Sequence, residues 1–267
     1  MAHANHYRSF VDEIYVVVYE WEGTNILEEV GKILENFPTA KVVRVERSEK
    51  FNWEIVTQLY NETKMLHPDD WWVVADDDEF HMYPMPLPFL IEDCETNGWD
   101  IVRGGFVDRI GTGGNFPEIQ PYKNIFEQFP LAGFFRYPLS QACPNKICVM
   151  KGYVELTNGQ HYAKIDGQTT WKWQGWNHPL IAPIETHSIQ VHHFKWDKTC
   201  IERIKSVVDI NQDYSYSKEY ELLYNELRKS KFIVNLSKDE FMTELSDGQS
   251  EFKRYRNWNK LIKKIAS

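Results

Sequence analysis

Residues 71–80 read Trp-Trp-Val-Val-Ala-Asp-Asp-Asp-Glu-Phe, an apolar run that ends in four consecutive carboxylates. The apolar part, Trp71–Ala75, predicts a strand driven into a core. The acidic part, Asp76 to Glu79, has to emerge where that core meets solvent or a counter-charge. Four like charges at one strand end repel one another. A hard divalent cation relieves the conflict, because Mg²⁺ and Mn²⁺ prefer oxygen ligands and carboxylates two positions apart can close on one ion. The ordinary alternative is a solvated acidic turn. Either way, the fold must leave this strand end open.

The flanking residues predict alternating strands and helices. Ile14–Tyr19 is a β-branched and aromatic run that reads as a strand buried on both faces. Asn25, with Glu28 three residues on, opens a helix whose apolar positions recur at Ile26, Leu27, Val30, Ile33, Leu34 and Phe37 until Pro38. Residues 41–46 make a second short strand. A second helix starts near Asn52 and ends before Pro68. After the acidic cluster, Pro86–Asn97 reads as a helix closed by Gly98, and residues 100–106 as a further strand. This alternation predicts an α/β fold: a mostly parallel sheet with helices on both faces and a ligand site beyond the carboxyl ends of its strands. Past residue 106 the pattern loosens into a Gly111–Gly114 loop, short strands and turns. A strand is expected at 189–194, and helices at 198–210, 217–229 and 238–245, the last opened by Ser237 with Glu240. The expected organisation is an α/β catalytic domain over 1–196 followed by a helical extension over 197–267.

Bulk properties narrow the function classes. The chain has 267 residues, 42% apolar and 26% charged, as a folded domain does. A net charge of −9 argues against a protein that coats nucleic acid, which needs a basic footprint. No apolar run approaches the roughly 18–20 residues that would span a bilayer, and the start Met-Ala-His-Ala-Asn-His has no signal-peptide character. The four cysteines match no zinc spacing and read as thiols of a reducing compartment, so a cytoplasmic location is expected. Residues 252–264 are basic with interleaved apolar side chains; they read as a solvated terminal helix, with weak contact to an anionic membrane surface as the alternative.

The strand–helix order, Glu22-Gly23-Thr24, and the strand ending in Asp76-Asp77-Asp78-Glu79-Phe80 together resemble the GT-A (Rossmann-like) nucleotide-sugar glycosyltransferases of the family-2-like group. The likeness is to the bacterial and viral branch whose motif reads Asp-x-Asp-Glu-Phe. Further matching segments are Arg103-Gly104-Gly105-Phe106-Val107-Asp108-Arg109, Glu127-Gln128-Phe129-Pro130-Leu131, Gly159-Gln160-His161 and Val191-His192-His193-Phe194-Lys195-Trp196. The resemblance covers roughly 6–205. It departs from the family at the start, where the opening strand that walls the nucleotide base has no counterpart before Val11.

The resemblance implies a metal-dependent, inverting transfer of a sugar from a nucleoside-diphosphate donor, UDP-sugar foremost, to a hydroxyl of a glycan or similar acceptor. Asp78 would bind Mn²⁺ or Mg²⁺ directly. Asp76 would face the ribose, or the metal through water. Asp77, expected on the other face of the extended segment, joins Asp76, Glu22 and Arg47 among the candidates for the donor side, where Glu20 is also placed. A late histidine would complete the metal site. His192 and His193 both qualify, and strand alternation lets only one of them face the cleft. The general base is open between Glu127 and Asp108, with Glu127 preferred; a salt bridge to Arg109 is the structural alternative for Asp108. Trp171, Trp173 and Trp176, with His161, are candidates for holding the acceptor, because indole faces stack on sugar rings, whereas the plainer reading of the tryptophans is a small core. Two rival functions remain: a non-catalytic carbohydrate-binding or degenerate transferase, and a metal-dependent nucleotidyltransferase or phosphohydrolase.

Overall fold

The computed structural model describes residues 2–49, 52–133, 139, 142–165, 167–169, 178–210, 216–234 and 242–244. In chain order the elements begin with α1 (Ala2–Tyr7), β1 (Ile14–Trp21), α2 (Ile26–Leu34), β2 (Ala40–Ser48) and α3 (Trp53–Lys64). Next come β3 (Trp71–Val73), β4 (Glu79–Met82), α4 (Leu87–Asn97), β5 (Ile101–Ile110), α5 (Ile125–Gln128) and β6 (Leu131–Gly133). Then follow β7 (Asn145–Lys151), β8 (Glu155–Leu156), β9 (Ala163–Ile165), β10 (Gln168–Thr169), α6 (Ile184–His187) and β11 (Ile189–His193). The described chain closes with α7 (Cys200–Ile210), α8 (Ser217–Lys229) and β12 (Met242–Glu244). The protein is a mixed α/β chain that divides into two compact units, each assembled from several segments. The first comprises Met1–Asp76, Tyr83–Gly104 and Lys146–Ile189; the second comprises Asp77–Met82, Gly105–Asn145 and Gln190–Ser267.

In the first unit, β1 and β2 form a parallel pair in register from Ile14 opposite Ala40 to Trp21 opposite Ser48, with α2 and α3 packed on it. The expected parallel sheet stops there. β3 pairs antiparallel with β7, Trp71 opposite Lys151 and Val73 opposite Val149, and β8, β9 and β10 form a separate antiparallel sheet. An apolar run reports burial, but nothing in it encodes the direction of the strand alongside. Nor is β1 buried along its length: only Val18 and Tyr19 in it are buried, and the rest of its run is half-buried. The core of this unit gathers Val74, Ile101, Ile147, Met150, Leu156 and Ile181.

Helix boundaries follow local chemistry. Asn52 caps α3 by accepting from the Glu54 amide at 2.9 Å. Asn25 makes no such side-chain bond; Glu20 on β1 accepts from the Leu27 amide at 3.3 Å and serves the α2 terminus from outside. α4 ends at Gly98 with φ 72°, the left-handed position that glycine adopts without strain.

In the second unit the strand order is β12-β6-β5-β11-β4. β6 runs antiparallel to both β5 and β12, and β4 antiparallel to β11. The main sheet is mixed, with these pairs antiparallel, which corrects the expectation of a mostly parallel Rossmann-like one. Met242–Glu244 is a strand against β6 rather than part of a helix over 238–245, because a short segment with helical spacing still completes an open sheet edge when one lies beside it. The rest of that expected helix, including Ser237 and Glu240, and the basic stretch 252–264 lie outside the described residues. α7 and α8 carry Ile204, Leu223 and Leu227 into a core with Ile110, Trp196 and Val234. Among the described residues no helix is long and apolar enough to cross a membrane.

Candidate metal centre

The acidic cluster is split by the fold. β3 ends at Val73, and Glu79 already belongs to the next strand, β4. In the antiparallel ladder of β4 with β11, His193 stands opposite Glu79, His192 opposite Phe80 and Val191 opposite His81. Directly opposed residues share a face and successive ones alternate. His193 and Glu79 therefore lie on one face, and His192 on the other. Of the two histidines, His193 is the one that shares a face with Glu79.

His192 is turned into an aromatic core. It is 2% exposed, its Nε2 is 3.2 Å from Gln190 Oε1, and its ring lies 6.1 Å from that of Phe126. Phe80, Phe126, Phe129 and Phe194 pack together on this side. The metal role assigned to His192 is thus corrected: strand alternation places it in the core.

On the other face, Asp78, Glu79 and His193 each offer one ligand atom, and these atoms lie within 4.8 Å of one another. His193 Nε2 is 3.6 Å from Asp78 Oδ2. The Phe194 amide donates to the Asp78 carbonyl at 2.8 Å, which fastens Asp78 to the end of β11. Two carboxylates and one imidazole form a donor set suited to Mn²⁺, and to Mg²⁺ with more water. Burial pushes the Asp78 carboxyl up, but the His193 imidazolium beside it outweighs this and holds it well below the usual carboxylate range. Burial likewise works against the His193 imidazolium, and Asp78 and Asp108 overcome that to raise its pKa above the ordinary histidine value.

Asp108, on β5, has no exposed surface. Its Oδ1 accepts from Trp196 Nε1 at 2.9 Å and lies 3.5 Å from His193 Nδ1. Asp108 therefore faces the histidine, and a carboxylate sealed from solvent in this way is poorly placed to deprotonate an incoming hydroxyl. Its structural alternative, a salt bridge with Arg109, is absent among the described residues. Arg109 points to the opposite face, donates from Nε to the Phe129 carbonyl at 3.0 Å and lies over the rings of Phe126 and Phe194. Burial pushes its guanidinium down to about 9.

Asp76 belongs to the first unit, where both its oxygens are engaged: Tyr60 donates to Oδ1 at 2.8 Å and Lys146 to Oδ2 at 3.0 Å. Lys146, 1% exposed, also donates to Gln160 Oε1 at 2.6 Å. The Gly-Gln-His segment thus contributes Gln160, fully buried at a left-handed φ of 54°, to this network; His161 is only partly buried. Asp77 is exposed. Glu22 is exposed at the end of β1, and Arg47 pairs with Glu20 at 2.9 Å on the surface. Glu127 is exposed on the four-residue α5, whose cap is Asn124. Trp171, Trp173 and Trp176 lie outside the described residues.

Sequence reasoning missed Glu79 as a ligand candidate, Trp196 as the partner of Asp108, Tyr60 and Lys146 as the partners of Asp76, and Gln160 as the further partner of Lys146. The alternation of Glu79 and His81 with Phe80 and Met82 was the available signal for the first. It also missed an aromatic groove of about 870 Å³ in the first unit, lined by Tyr7, Phe10, Tyr15, Trp71 and Trp72. Comparison with protein-family models, curated proteins and solved structures returns no match to this chain.

Proposed function

We propose that the protein is a metal-dependent glycosyltransferase that moves a sugar from a nucleoside-diphosphate donor, UDP-sugar foremost, to a hydroxyl acceptor. The observation that carries this reading is the convergence of Asp78 and Glu79, both within an acidic motif of the Asp-x-Asp-Glu-Phe kind, with His193 at the end of β11. These three residues would hold Mn²⁺ or Mg²⁺. A bound cation of this kind neutralises charge on a departing diphosphate. Asp78 stays ionised at neutral pH because His193 stabilises its charge, so the centre is ready to take a cation without first losing a proton from that carboxyl. Asp76, held by Tyr60 and Lys146, is a fixed hydrogen-bond acceptor within the first unit. Of the two base candidates, Glu127 has the solvent exposure needed to meet an acceptor hydroxyl, and Asp108 does not.

The test is thermal unfolding of the purified chain with a panel of nucleoside diphosphates, in Mn²⁺ and again in EDTA. A ligand at 100 times its dissociation constant adds about 2.7 kcal/mol of stability. The expected result is a Mn²⁺-dependent rise in midpoint with one nucleotide, lost in Asp78→Ala, together with turnover of the corresponding nucleotide-sugar. Glycan binding that needs no metal, with no response to any nucleotide, would replace this reading with a non-catalytic one.

A further inference from the structure

We propose that Asp108 and Trp196 are positioning residues for His193, and that α7 and α8 set the cation affinity of the centre through Trp196. The inference rests on Asp78, Glu79 and His193 forming a divalent-cation site. An imidazole offers a cation one nitrogen lone pair, and which nitrogen is available depends on what the other one faces. His193 has its two nitrogens turned to different carboxylates: Nε2 is 3.6 Å from Asp78, and Nδ1 is 3.5 Å from Asp108. A carboxylate opposite Nδ1 favours the proton there and leaves Nε2 to the ligand cluster.

Asp108 is in turn oriented. Trp196 has a single polar donor, its indole N–H, and spends it on Asp108 Oδ1 at 2.9 Å. Neither side chain has exposed surface. Trp196 is packed in the cluster that includes Ile204 from α7 and Leu223 and Leu227 from α8. A chain of contacts therefore runs from the helical core through the indole and the carboxylate to the imidazole. It assigns α7 and α8 a function besides covering the sheet: they hold the tryptophan that holds the aspartate.

The experiment is Mn²⁺ titration of the full-length protein by electron paramagnetic resonance, with thermal unfolding in EDTA as a separate measure of fold. Outer carboxylate partners of metal-bound histidines typically contribute about 10–100-fold to affinity. Asp108→Ala is expected to weaken Mn²⁺ binding on that scale. Asp108→Asn, which keeps an acceptor oxygen, is expected to recover most of the loss. Trp196→Phe keeps the packing, removes the N–H, and is expected to weaken binding several-fold. Leu223→Ala, in the helical core, is expected to weaken it less. If Asp108→Ala does not fold, the Asn and Phe variants decide. A wild-type protein that binds no Mn²⁺ overturns the metal centre itself. Wild-type binding that His193→Ala weakens, while the Asp108 and Trp196 variants match wild type within about twofold, overturns the positioning role alone. A loss of stability in EDTA with unchanged affinity has the same meaning.

Discussion

Lys146 is 1% exposed, and its ammonium lies 3.0 Å from Asp76 Oδ2. The two partners are unequally buried, since the Asp76 side chain keeps 21% of its exposure. Removing the carboxylate strands a charge that water cannot reach, while removing the ammonium leaves one that it can. Breaking a buried pair from the side that strands its charge costs about 3–5 kcal/mol. Asp76→Ala is therefore expected to lose about that much in urea unfolding, and Lys146→Met distinctly less. Equal losses would contradict the asymmetry.

The same pair separates Asp76 from the ligand cluster in chemical role. With both oxygens of Asp76 engaged, the cation should depend on Asp78 and Glu79. Stabilisation by Mn²⁺ is read within each variant as the difference between unfolding with the ion and in EDTA. Asp78→Asn and Glu79→Gln are expected to lose most of the increment, which for wild type at 100 times the dissociation constant is about 2.7 kcal/mol. Asp76→Asn is expected to keep it. Loss of the increment in Asp76→Asn alone would return the metal to the first acid of the motif.

How much of this was legible in the sequence depends on the kind of information each feature needs. The helices starting near Ile26, Trp53, Leu87 and Ser217 and the strands at Ile14, Ala40 and Ile101 were readable because apolar period, caps and Gly98 are local signals. Strand direction was not, since Trp71–Val73 meets β7 only through residues 76 to 80 positions away. The choice between His192 and His193 needed the ladder register with Glu79, and alternation alone left it open. Asp108 looked like a base because it follows a strand near the motif; its burial and its bond to Trp196, 88 positions on, are tertiary facts. Glu127 kept its candidacy for the opposite reason, being exposed on a short helix.

The charge pair in the centre gives the metal-free protein a defined pH response. Asp78 has its pKa lowered, so its contribution to stability is fully present above the ordinary aspartate value near 3.8 and is lost as pH falls through the lower folded value. His193 has its pKa raised, so its contribution is fully present below the ordinary histidine value of 6.5 and is lost as pH rises through the higher folded value. Both contributions are therefore complete between about pH 4 and 6.5. In EDTA, the stability difference between wild type and His193→Ala is expected to be greatest in that window and to shrink above it. A difference that grows with pH from 6.5 to 8.5 would mean that His193 is neutral in the folded protein.

Lys64 supplies an alkaline counterpart in the first unit. The side chain closes α3, is 2% exposed, and donates to the Val154 carbonyl at 2.7 Å and to Asn61 Oδ1 at 3.1 Å. Burial dominates those contacts and pushes its ammonium down from 10.5 to about 8, the charge of Glu155 opposing this only in part. Between those two values the unfolded chain holds the proton more tightly than the folded one, so stability rises with pH across that interval. The span corresponds to a gain of about 3 kcal/mol from pH 8 to 10.5, at 1.36 kcal/mol per pKa unit. Lys64→Met keeps the length of the side chain and removes the titrating group. Other groups ionise in the same range, so the informative quantity is wild type minus variant, measured by urea unfolding at each pH. That difference is expected to move in favour of wild type as pH climbs from 8 to 10.5, and a flat difference would mean that the Val154 and Asn61 oxygens already compensate the buried charge in full.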